Sequence, residues 1–332
     1  MRASWYEKTG PAIDVLQIGK METPEACDNE VRIKIFASGV NPADVKLRSG
    51  QSSYGYNFDR VIPNSDGAGI IDQVGSGVSS NLIGRRVWLF NGQRLGRAFG
   101  TAAEYICINF NFVTELPEHV SFDEGATLGI PGLTAYHSVF ADGSVHGKTI
   151  LVTGGAGAVG FYATSLASWG GAKVLCTVSG DQKAKRALLA GAENVINYKK
   201  EDVAERVDAY TKGKGVDRLI TVDFGGDLPW MTSIMRQNSC VSAYASDSEK
   251  MPTLDFFSFM RKNIQIRPFI LNSLPPKELD DARFGINRWL IDKPNSLRPI
   301  AKKFSLENII KAHELVESSI KFGTVIVNPK TS

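Results

Sequence analysis

The chain has 332 residues, which is long enough for two ordinary domains with sizeable cores. Its composition, 43% hydrophobic and 22% charged, is typical of a globular protein. The formal net charge is only +3 and no segment concentrates Lys and Arg, so no nucleic-acid partner is expected. No run of 18 apolar residues occurs, so neither a membrane span nor a membrane partner is expected.

The cysteines also limit the class of protein. Cys27, Cys107, Cys176 and Cys240 are far apart, and no CxxC occurs. This pattern indicates neither a disulfide framework nor a cysteine-rich zinc cluster. The N-terminal sequence MRASWYEKTG lacks the apolar run of a secretory leader. We therefore expect a cytoplasmic protein.

The first third of the chain is predicted to be β structure. Residues 30–37 alternate, with Val31, Ile33 and Ile35 on one face, which is typical of a half-exposed strand. Further short strands, separated by Gly, Asn and Ser turns, are predicted at 69–74, 86–90 and 103–108. Such strands indicate a compact barrel or sandwich.

The pattern changes near residue 121. Ser121 and Glu124 have the spacing of a capping box, and a helix is predicted to run from there through Leu128. Pro131 is expected to end or kink this helix, and a second short helix is predicted over 133–140.

From residue 148 strands and helices alternate. Strands are predicted at 149–152, 173–178, 195–198 and 218–224. Helices are predicted at 159–169, 181–190 and 201–211. This alternation is typical of βαβ units, so an α/β domain with a doubly wound parallel sheet is predicted over 125–264.

The tail returns to mixed structure. A strand is predicted at 264–271, where Pro268 places it at a sheet edge, and Ser305 is predicted to cap a helix that runs through Val316. A final strand is predicted at 324–327. The two ends of the chain, 1–124 and 265–332, are predicted to form one domain into which the α/β domain is inserted.

Residues 151–160 read LVTGGAGAVG. The glycine spacing alone fits either a tight strand–helix turn or a dinucleotide cradle. Its position after an apolar strand and before a helix favours the cradle, in which Gly154 and Gly157 approach a pyrophosphate and Gly160 lets the helix pack closely. The helix N-terminus adds free N–H groups for the phosphates. A dinucleotide site is therefore predicted.

The second strand of this domain ends in TVSG, without the carboxylate that holds the ribose 2′-hydroxyl of NAD. Ser179 and Lys183 offer a hydroxyl and a positive charge to a 2′-phosphate, and Lys185 and Arg186 lie nearby. Asp181 is discordant, although it is suited to capping the next helix. The alternative is that these cations form a solvated helix face. NADPH is the predicted cofactor in preference to NADH.

The chain resembles the zinc-independent quinone oxidoreductases, the zeta-crystallin-like branch of the medium-chain dehydrogenase/reductase superfamily, over nearly its whole length. The motifs that carry this resemblance are, besides the glycine loop, GVNPAD (39–44), IPNSDGAG (62–69), GLTAY (132–136), VINY (195–198) and AHE (312–314). The resemblance implies a GroES-like β-rich catalytic domain with an inserted Rossmann domain. It also implies a homodimer, in agreement with the predicted edge strand at 264–271.

The same comparison bears on metal binding. Zinc-dependent relatives have Cys where this chain has Asn41, and His where it has Ser65. Asp44 and Asp66 remain, but two carboxylates without imidazole or thiolate make a poor zinc site. No metal is therefore expected, which disfavours alcohol oxidation. The expected acceptors are quinones or carbon–carbon double bonds conjugated to a carbonyl.

The resemblance implies cofactor contacts at both ends of the dinucleotide. Asn41 is expected near the nicotinamide and Thr134 against the cofactor, although Asn41 precedes a proline and suits a turn, and Thr134 suits a bond to its own helix backbone. The 2′-phosphate is assigned to Ser179, Lys183 and Tyr198, the last of which alternatively covers the sheet edge. The pyrophosphate is assigned to Gly155, Ala156, Gly157, Ala158 and Val159. The nicotinamide pocket is assigned to Ser242, Ala243, Tyr244, Ala245, Phe269, Ile270 and Leu271.

Two further residues enter through the resemblance. Tyr54 lies where related enoyl-thioester reductases have an acid tyrosine, and is expected either to donate a proton to the substrate or to pack as an aromatic on a loop. Relatives also place a basic residue beside the glycine before the last strand. Lys321 is the candidate here, but its cofactor contact is in doubt because the local pattern differs.

Two alternatives to a quinone or enone reductase stay open. An enoyl-thioester reductase would need a long apolar tunnel and a basic patch, for which Arg60, Arg94 and Arg97 are scattered candidates. A non-catalytic NADPH-binding protein with a structural or RNA-associated role is the other, although the small net charge argues against RNA.

Overall fold

The computed structural model describes residues 1–52, 58–318 and 322–329. The chain divides into two compact units. Unit 1 consists of Met1–Pro131, Leu290–Pro294 and Arg298–Ser332, and unit 2 consists of Gly132–Trp289 and Asn295–Leu297. None of the helices in the described part of the chain has the length and apolarity that crossing a bilayer requires.

In the described residues the strands are, in chain order, β1 (Arg2–Trp5), β2 (Gln17–Lys20), β3 (Glu30–Val40), β4 (Asp66–Val74), β5 (Arg86–Leu89), β6 (Tyr105–Asn109), β7 (Val113–Glu115), β8 (Thr149–Val152), β9 (Lys173–Val178), β10 (Asn194–Asn197), β11 (Val216–Thr221), β12 (Met235–Ala243), β13 (Gln265–Pro268), β14 (Ile300–Ser305) and β15 (Thr324–Asn328). The α-helices are α1 (Ala12–Val15), α2 (Pro42–Arg48), α3 (Phe122–Gly125), α4 (Leu133–Phe140), α5 (Ala158–Trp169), α6 (Asp181–Leu189), α7 (Val203–Thr211), α8 (Phe224–Ile234), α9 (Phe256–Lys262), α10 (Pro276–Asp292) and α11 (Ile309–Glu317).

Unit 1 is built around a seven-stranded sheet in the order β14-β15-β3-β4-β5-β7, with β6 paired to β3. The alternation predicted for β3 is confirmed, because Val31, Ile33 and Ile35 are buried while Arg32 and Lys34 are only partly so. The strand also extends to Val40, since β15 pairs with its last residues and covers them. Strands from both ends of the chain thus complete one sheet.

The capping box predicted at Ser121 is present, but α3 is shorter than expected. The helical path breaks at Gly129, whose backbone torsions are not helical, within a π-helical turn over Leu128–Gly132. This break lets the Ile130 N–H donate to the Asp66 carboxylate at 2.9 Å. A Cβ on Gly129 would lie 2.2 Å from Asp66 Oδ1, so the close approach requires glycine.

Unit 2 contains a six-stranded parallel sheet in the order β10-β9-β8-β11-β12-β13. The order reverses between β8 and β11, because β9 and β10 lie on one side of β8 and the strands from β11 onward lie on the other. Such a reversal is the topological switch point at which ligands bind open α/β sheets. The apolar run of β8 is fully buried from Ile150 to Val152, as its composition predicts.

The predicted domain boundaries are corrected by the structure. Unit 2 begins at Gly132 rather than 125 and continues to Trp289 rather than 264. The reason is that β13 pairs in parallel with β12, at the edge of the Rossmann-type sheet. Helix α10 stays with the same unit, where the Trp289 ring packs edge-on against Tyr162 with ring centres 5.7 Å apart.

The strand predicted over 218–224 also ends earlier than expected. β11 stops at Thr221, and Phe224 begins α8 by donating its N–H to the Ala245 carbonyl at 2.9 Å. Helix α8 contains Gly225, Gly226 and Pro229, residues of low helix propensity, which is why the sequence pattern did not predict it.

A buried histidine on α11 contacts Asn64 in the core of unit 1. The His313 ring is fully buried in α11, and its Nε2 lies 3.2 Å from Asn64 Oδ1. Asn64 holds a left-handed backbone (φ 73°) and donates to Ser38 Oγ at 2.9 Å. Burial, with the nearby charge of Arg48, lowers the pKa of His313 to about 3. This imidazole is therefore a neutral structural group.

We predict that His313 makes the free energy of unfolding depend on pH. The unfolded imidazole has a pKa of about 6.5, so between that value and about 3 the unfolded chain binds a proton that the folded chain does not. Stability from this group is therefore complete above pH 6.5 and falls by about 1.4 kcal/mol by pH 5.5. His313→Gln keeps an amide donor for Asn64. In urea unfolding, its free energy of unfolding should fall by about 1.4 kcal/mol less between pH 8 and pH 5.5 than that of the parent chain.

The exposed His146 provides the matched control, since His146→Gln should leave the pH dependence of the parent chain unchanged. Equal pH dependence in the His313→Gln variant and the parent chain would contradict the assignment.

Candidate functional site at the carboxyl edge of the parallel sheet

The glycine loop connects β8 to α5 at the switch point. The Gly154 N–H donates to Thr177 Oγ1 at 3.1 Å, and the Gly155 N–H donates to the Thr177 carbonyl at 3.0 Å. Gly154 has a left-handed backbone (φ 66°). Helix α5 begins after Gly157, which provides no side-chain cap. The first amides of α5 therefore have no side-chain oxygen competing with an anion at the helix N-terminus.

Two glycines are required by close contacts rather than by the turn itself. A Cβ on Gly160 would lie 2.2 Å from the Gly154 carbonyl oxygen. A Cβ on Gly155 would lie 2.6 Å from both Cβ and Sγ of Cys176 on β9. The loop thus packs directly on its neighbouring strand and on its own helix.

The three residues assigned to a 2′-phosphate follow two neighbouring strands. Ser179 follows β9, and Lys183 in the first turn of α6 donates from Nζ to Ser179 Oγ at 2.9 Å. Tyr198 follows β10, its N–H donates to the Val178 carbonyl at 3.2 Å, and the residue is 51% exposed. The serine hydroxyl and the ammonium are therefore bonded to each other, while the tyrosine is tied to the end of β9 by its backbone.

The other charges near Lys183 are arranged differently from the prediction. Asp181 does not cap α6, because Gly180 occupies the N-cap position and Asp181 is an exposed first-turn residue. The Arg186 guanidinium lies over the Phe161 ring, 5.7 Å from its centre, and burial lowers the pKa of Arg186. Lys185 is exposed. Of the three cations, Lys183 is the one bonded to Ser179.

The segments assigned to the nicotinamide pocket occupy several kinds of position. Ser242 and Ala243 are buried strand residues of β12, whereas Tyr244 and Ala245 are partly buried beyond its end. The Phe269 N–H continues the pairing with β12 by donating to the Ala243 carbonyl at 3.1 Å. Its ring packs edge-on against His137 with ring centres 4.5 Å apart.

The remaining members of these segments are also placed in unit 2. Ile270 is 52% exposed and Leu271 is buried. Thr134 is buried in the first turn of α4.

The ends of β8 and β11 carry a polar group that sequence reasoning missed. The Val222 N–H donates to Thr153 Oγ1 at 3.0 Å, and the Thr221 hydroxyl donates to Asp227 Oδ2 at 2.6 Å. Burial raises the pKa of Asp227 to about 6. In the sequence, Asp227 is visible as an acidic residue directly after Gly225 and Gly226. This segment has neither helical nor strand periodicity, so its position could not be predicted.

In unit 1, Asn41 belongs to a buried polar cluster. Its side-chain amide donates to Asp66 Oδ2 at 2.7 Å, and its backbone N–H donates to Asp44 Oδ2 at 2.8 Å at the start of α2. Asp44 also accepts from the Ser65 hydroxyl at 2.8 Å and from Arg94 at 2.9 Å. Burial and the charge of Asp44 raise the pKa of Asp66 to about 8.

Two residues named from the sequence, Tyr54 and Lys321, lie outside the described residues. In the described part of the chain, no group of three or more His, Cys, Asp and Glu side chains is arranged to hold a metal ion.

Comparison with known proteins agrees with this architecture. Residues 27–118 match the model of the alcohol dehydrogenase GroES-like domain, and residues 158–283 match the model described as zinc-binding dehydrogenase. The quinone oxidoreductase of Homo sapiens is 34% identical over 330 residues, covering 97% of this chain and 95% of that protein. The 2-methylene-furan-3-one reductase of Solanum lycopersicum is 30% identical, covering 77% of this chain and 68% of that protein.

Among solved structures, Escherichia coli quinone oxidoreductase complexed with NADPH superposes with a TM-score of 0.85 at 26% identity, covering 99% of this chain and 100% of that one. The fold is therefore a GroES-like domain with an inserted Rossmann domain, as predicted. The chain belongs to the zinc-independent quinone oxidoreductase branch of the medium-chain dehydrogenase/reductase superfamily.

The description of one matching model names zinc, but the residues do not fit that metal. The Asn41 amide group nearest Asp66 is a hydrogen-bond donor, and the Ser65 hydroxyl donates to Asp44. Zinc prefers thiolate, imidazole and carboxylate ligands in tetrahedral array, and the two carboxylates here are already committed to internal donors. These side chains are therefore not suited to bind zinc.

Proposed function

We propose that this protein transfers a hydride from NADPH to a quinone or to an α,β-unsaturated carbonyl compound, without a metal. The observation that carries the proposal is the Lys183–Ser179 pair beside the glycine loop, at a strand end without a carboxylate. A 2′-phosphate needs such donors and positive charge, whereas a 2′-hydroxyl is usually held by an acid. Quinone and enone reductases among the relatives support the choice of acceptor.

NADPH supplies the hydride when it is bound. The glycine loop, Gly154 to Gly160, offers backbone N–H groups and the N-terminus of α5 to the pyrophosphate. Ser179, Lys183 and Tyr198 hold the 2′-phosphate. Asn41, Thr134 and the segments 242–245 and 269–271 are the proposed contacts at the nicotinamide end. Catalysis then depends on orientation and on exclusion of water.

The acceptor is limited by what the protein residues can polarise. Asn41 and Ser65 are bonded to carboxylates, so they are not arranged to hold a metal ion that would polarise the acceptor. We therefore propose an acceptor that takes hydride readily. We propose Tyr54 as the proton donor after hydride transfer to an enone, whereas a reduced quinone takes its proton from water.

The contacts of three arginines disfavour the enoyl-thioester alternative. Arg60 is paired with Glu7 at 2.6 Å, and Arg94 is paired with Asp44 at 2.9 Å. Arg97 donates to the carbonyls of Gly92 and Cys107. These arginines therefore do not form a shared basic patch for the phosphate of a carrier.

We predict NADPH-dependent turnover of a simple 1,4-quinone and of a short-chain enone. NADPH oxidation at 340 nm should exceed that with NADH by at least about tenfold, since NADH lacks the 2′-phosphate and the charge-assisted hydrogen bonds that it makes, each worth about 1.5–3 kcal/mol. Crotonyl thioester should be turned over slowly or not at all. Turnover of the thioester alone would contradict the proposed acceptor, and tight binding of NADPH without any turnover would favour a non-catalytic role.

The preference for NADPH should depend on Lys183. Replacing this residue with Met removes the ammonium that is bonded to Ser179, so the Kd for NADPH should rise about tenfold or more while that for NADH changes little. Lys185→Met, on the same helix but exposed, is the matched control and should change neither constant by more than about twofold. A similar loss for both cofactors would show that Lys183 acts only on the fold.

We also propose a homodimer that uses the β13 edge of unit 2. β13 is the last strand of its sheet, and nearby residues expose large apolar side chains, Met251, Phe256, Phe257, Met260 and Ile270. Analytical sedimentation of the parent protein should give twice the mass of one chain. The Phe257→Asp variant should give the mass of a single chain. Phe284→Asp, at a similarly exposed position on α10, should leave the mass unchanged. A single-chain mass for the parent protein would contradict the proposal.

A cytoplasmic location is the remaining part of the proposal. The four cysteines are all free, which supports a reducing compartment.

A further inference from the structure

A partly buried carboxylate lies at the end of β11, beside the switch point, and the cofactor contacts proposed above do not use it. Asp227 is in the first turn of α8, and its Oδ2 accepts a hydrogen bond from Thr221 Oγ1 at 2.6 Å. The Thr153 hydroxyl acts to lower the pKa of the same carboxyl. Thr221 ends β11 and Thr153 follows β8, so the carboxylate lies close to the ends of both strands that flank the reversal.

Each of these hydroxyls also accepts a backbone N–H. Thr153 Oγ1 accepts from Val222 at 3.0 Å, and Thr221 Oγ1 accepts from Asp223 at 3.1 Å. A hydroxyl has one proton to donate, and the Thr221 hydroxyl donates it to Asp227, which leaves its lone pairs for the Asp223 amide. The carboxylate therefore fixes the direction of the Thr221 hydroxyl and, through it, the backbone of the turn after β11.

The same turn touches the glycine loop. The Val222 Cγ1 atom lies 3.3 Å from the position that a Cβ on Gly154 would occupy. The Thr153 N–H donates to the Ile220 carbonyl at 2.9 Å, which binds the start of the loop to β11. A change in the turn after β11 is thus transmitted to the loop that receives the pyrophosphate.

The charge state of Asp227 follows from its surroundings. Burial raises its pKa to about 6, and the charge of Asp223 acts in the same direction. Beyond the end of β12, the Tyr244 phenol interacts with the Asp227 charge, and burial together with that charge raises the pKa of Tyr244. Glu249 packs against Gly225 of α8. The N-terminus of α8 and the Thr221 and Thr153 hydroxyls favour the carboxylate form.

We propose that Asp227 is a positioning residue for cofactor binding, whose carboxylate holds the turns after β8 and β11 in the arrangement that receives the dinucleotide. It acts through Thr221 and the turn after β11, which contacts the glycine loop, rather than by touching the cofactor. The inference rests on the proposed function in that the ligand is NADPH.

The test replaces Asp227 with Asn, which keeps the size but loses the charge. Its amide oxygen accepts a weaker hydrogen bond from Thr221 than the carboxylate does, so the Kd for NADPH, measured by nicotinamide fluorescence at pH 8, should rise about tenfold. Thr221→Val should have a similar effect, whereas Thr221→Ser, which keeps the hydroxyl, should bind like the parent chain. Glu205→Gln, an acid in the first turn of α7, is the matched control and should leave the Kd unchanged.

Two readouts separate positioning from a general loss of structure. The ratio of the Asp227→Asn and parent Kd values should fall from about ten at pH 8 towards one at pH 5, because the parent carboxyl takes up its proton as the pH falls through about 6. In hydrogen exchange without cofactor, the amides of Val222 and Asp223 should exchange faster in Asp227→Asn than in the parent.

Equal Kd values at pH 8, tighter binding by Asp227→Asn, or unchanged exchange at both amides would overturn the inference. Failure of the parent chain to bind NADPH would instead overturn the proposed function, and the exchange experiment would still decide whether Asp227 orders the turn. If Asp227→Asn does not fold, the Thr221→Val and Thr221→Ser pair decides between the same outcomes.

Discussion

The close approach of α5 to its own connecting loop is the constraint on which the rest of unit 2 depends. The Gly154 carbonyl leaves no room for a side chain at position 160, and Cys176 leaves none at position 155. Because the helix and the loop meet without side chains between them, the helix axis begins directly above the end of β8. This places its free amides, with their partial positive charge, at the point where the strand order reverses. The other groups of the candidate site are arranged along that edge.

Unit 1 holds two carboxyl groups close together in its core. Asn41 and Ser65 act as donors to Asp66 and Asp44. Burying two carboxylates close together is costly, and the burial and mutual repulsion raise the pKa of Asp66 to about 8. Arg94 offsets the charge of Asp44. Hydrogen bonds within the cluster hold Asn41 and Ser65 against the two carboxyl groups, whereas Asp66 Oδ1 is buried without a hydrogen-bond partner.

The helices and strands that could be predicted from the sequence were those with a clear hydrophobic periodicity. The alternating residues of β3 and the apolar run of β8 gave their strands correctly, and the glycine loop indicated the Rossmann fold. Helix α8 was missed because Gly225, Gly226 and Pro229 oppose helix formation locally, and tertiary contacts such as the Phe224–Ala245 hydrogen bond outweigh them. The domain boundary was placed too early, because sequence cannot show that β13 pairs with β12 rather than with a strand of the other unit.

The charges at the carboxyl edge of unit 2 differ in sign on the two sides of the reversal, and their exposure decides what each can do. Lys183 is only partly buried and donates to a serine hydroxyl, so its charge is available to an incoming phosphate. Asp227 has its charge directed into the Thr221 hydroxyl and the N-terminus of α8, which reduces its repulsion of an anion at the loop. Thr221 at the end of β11 therefore contributes to the charge balance of this edge, as the glycines contribute to its shape.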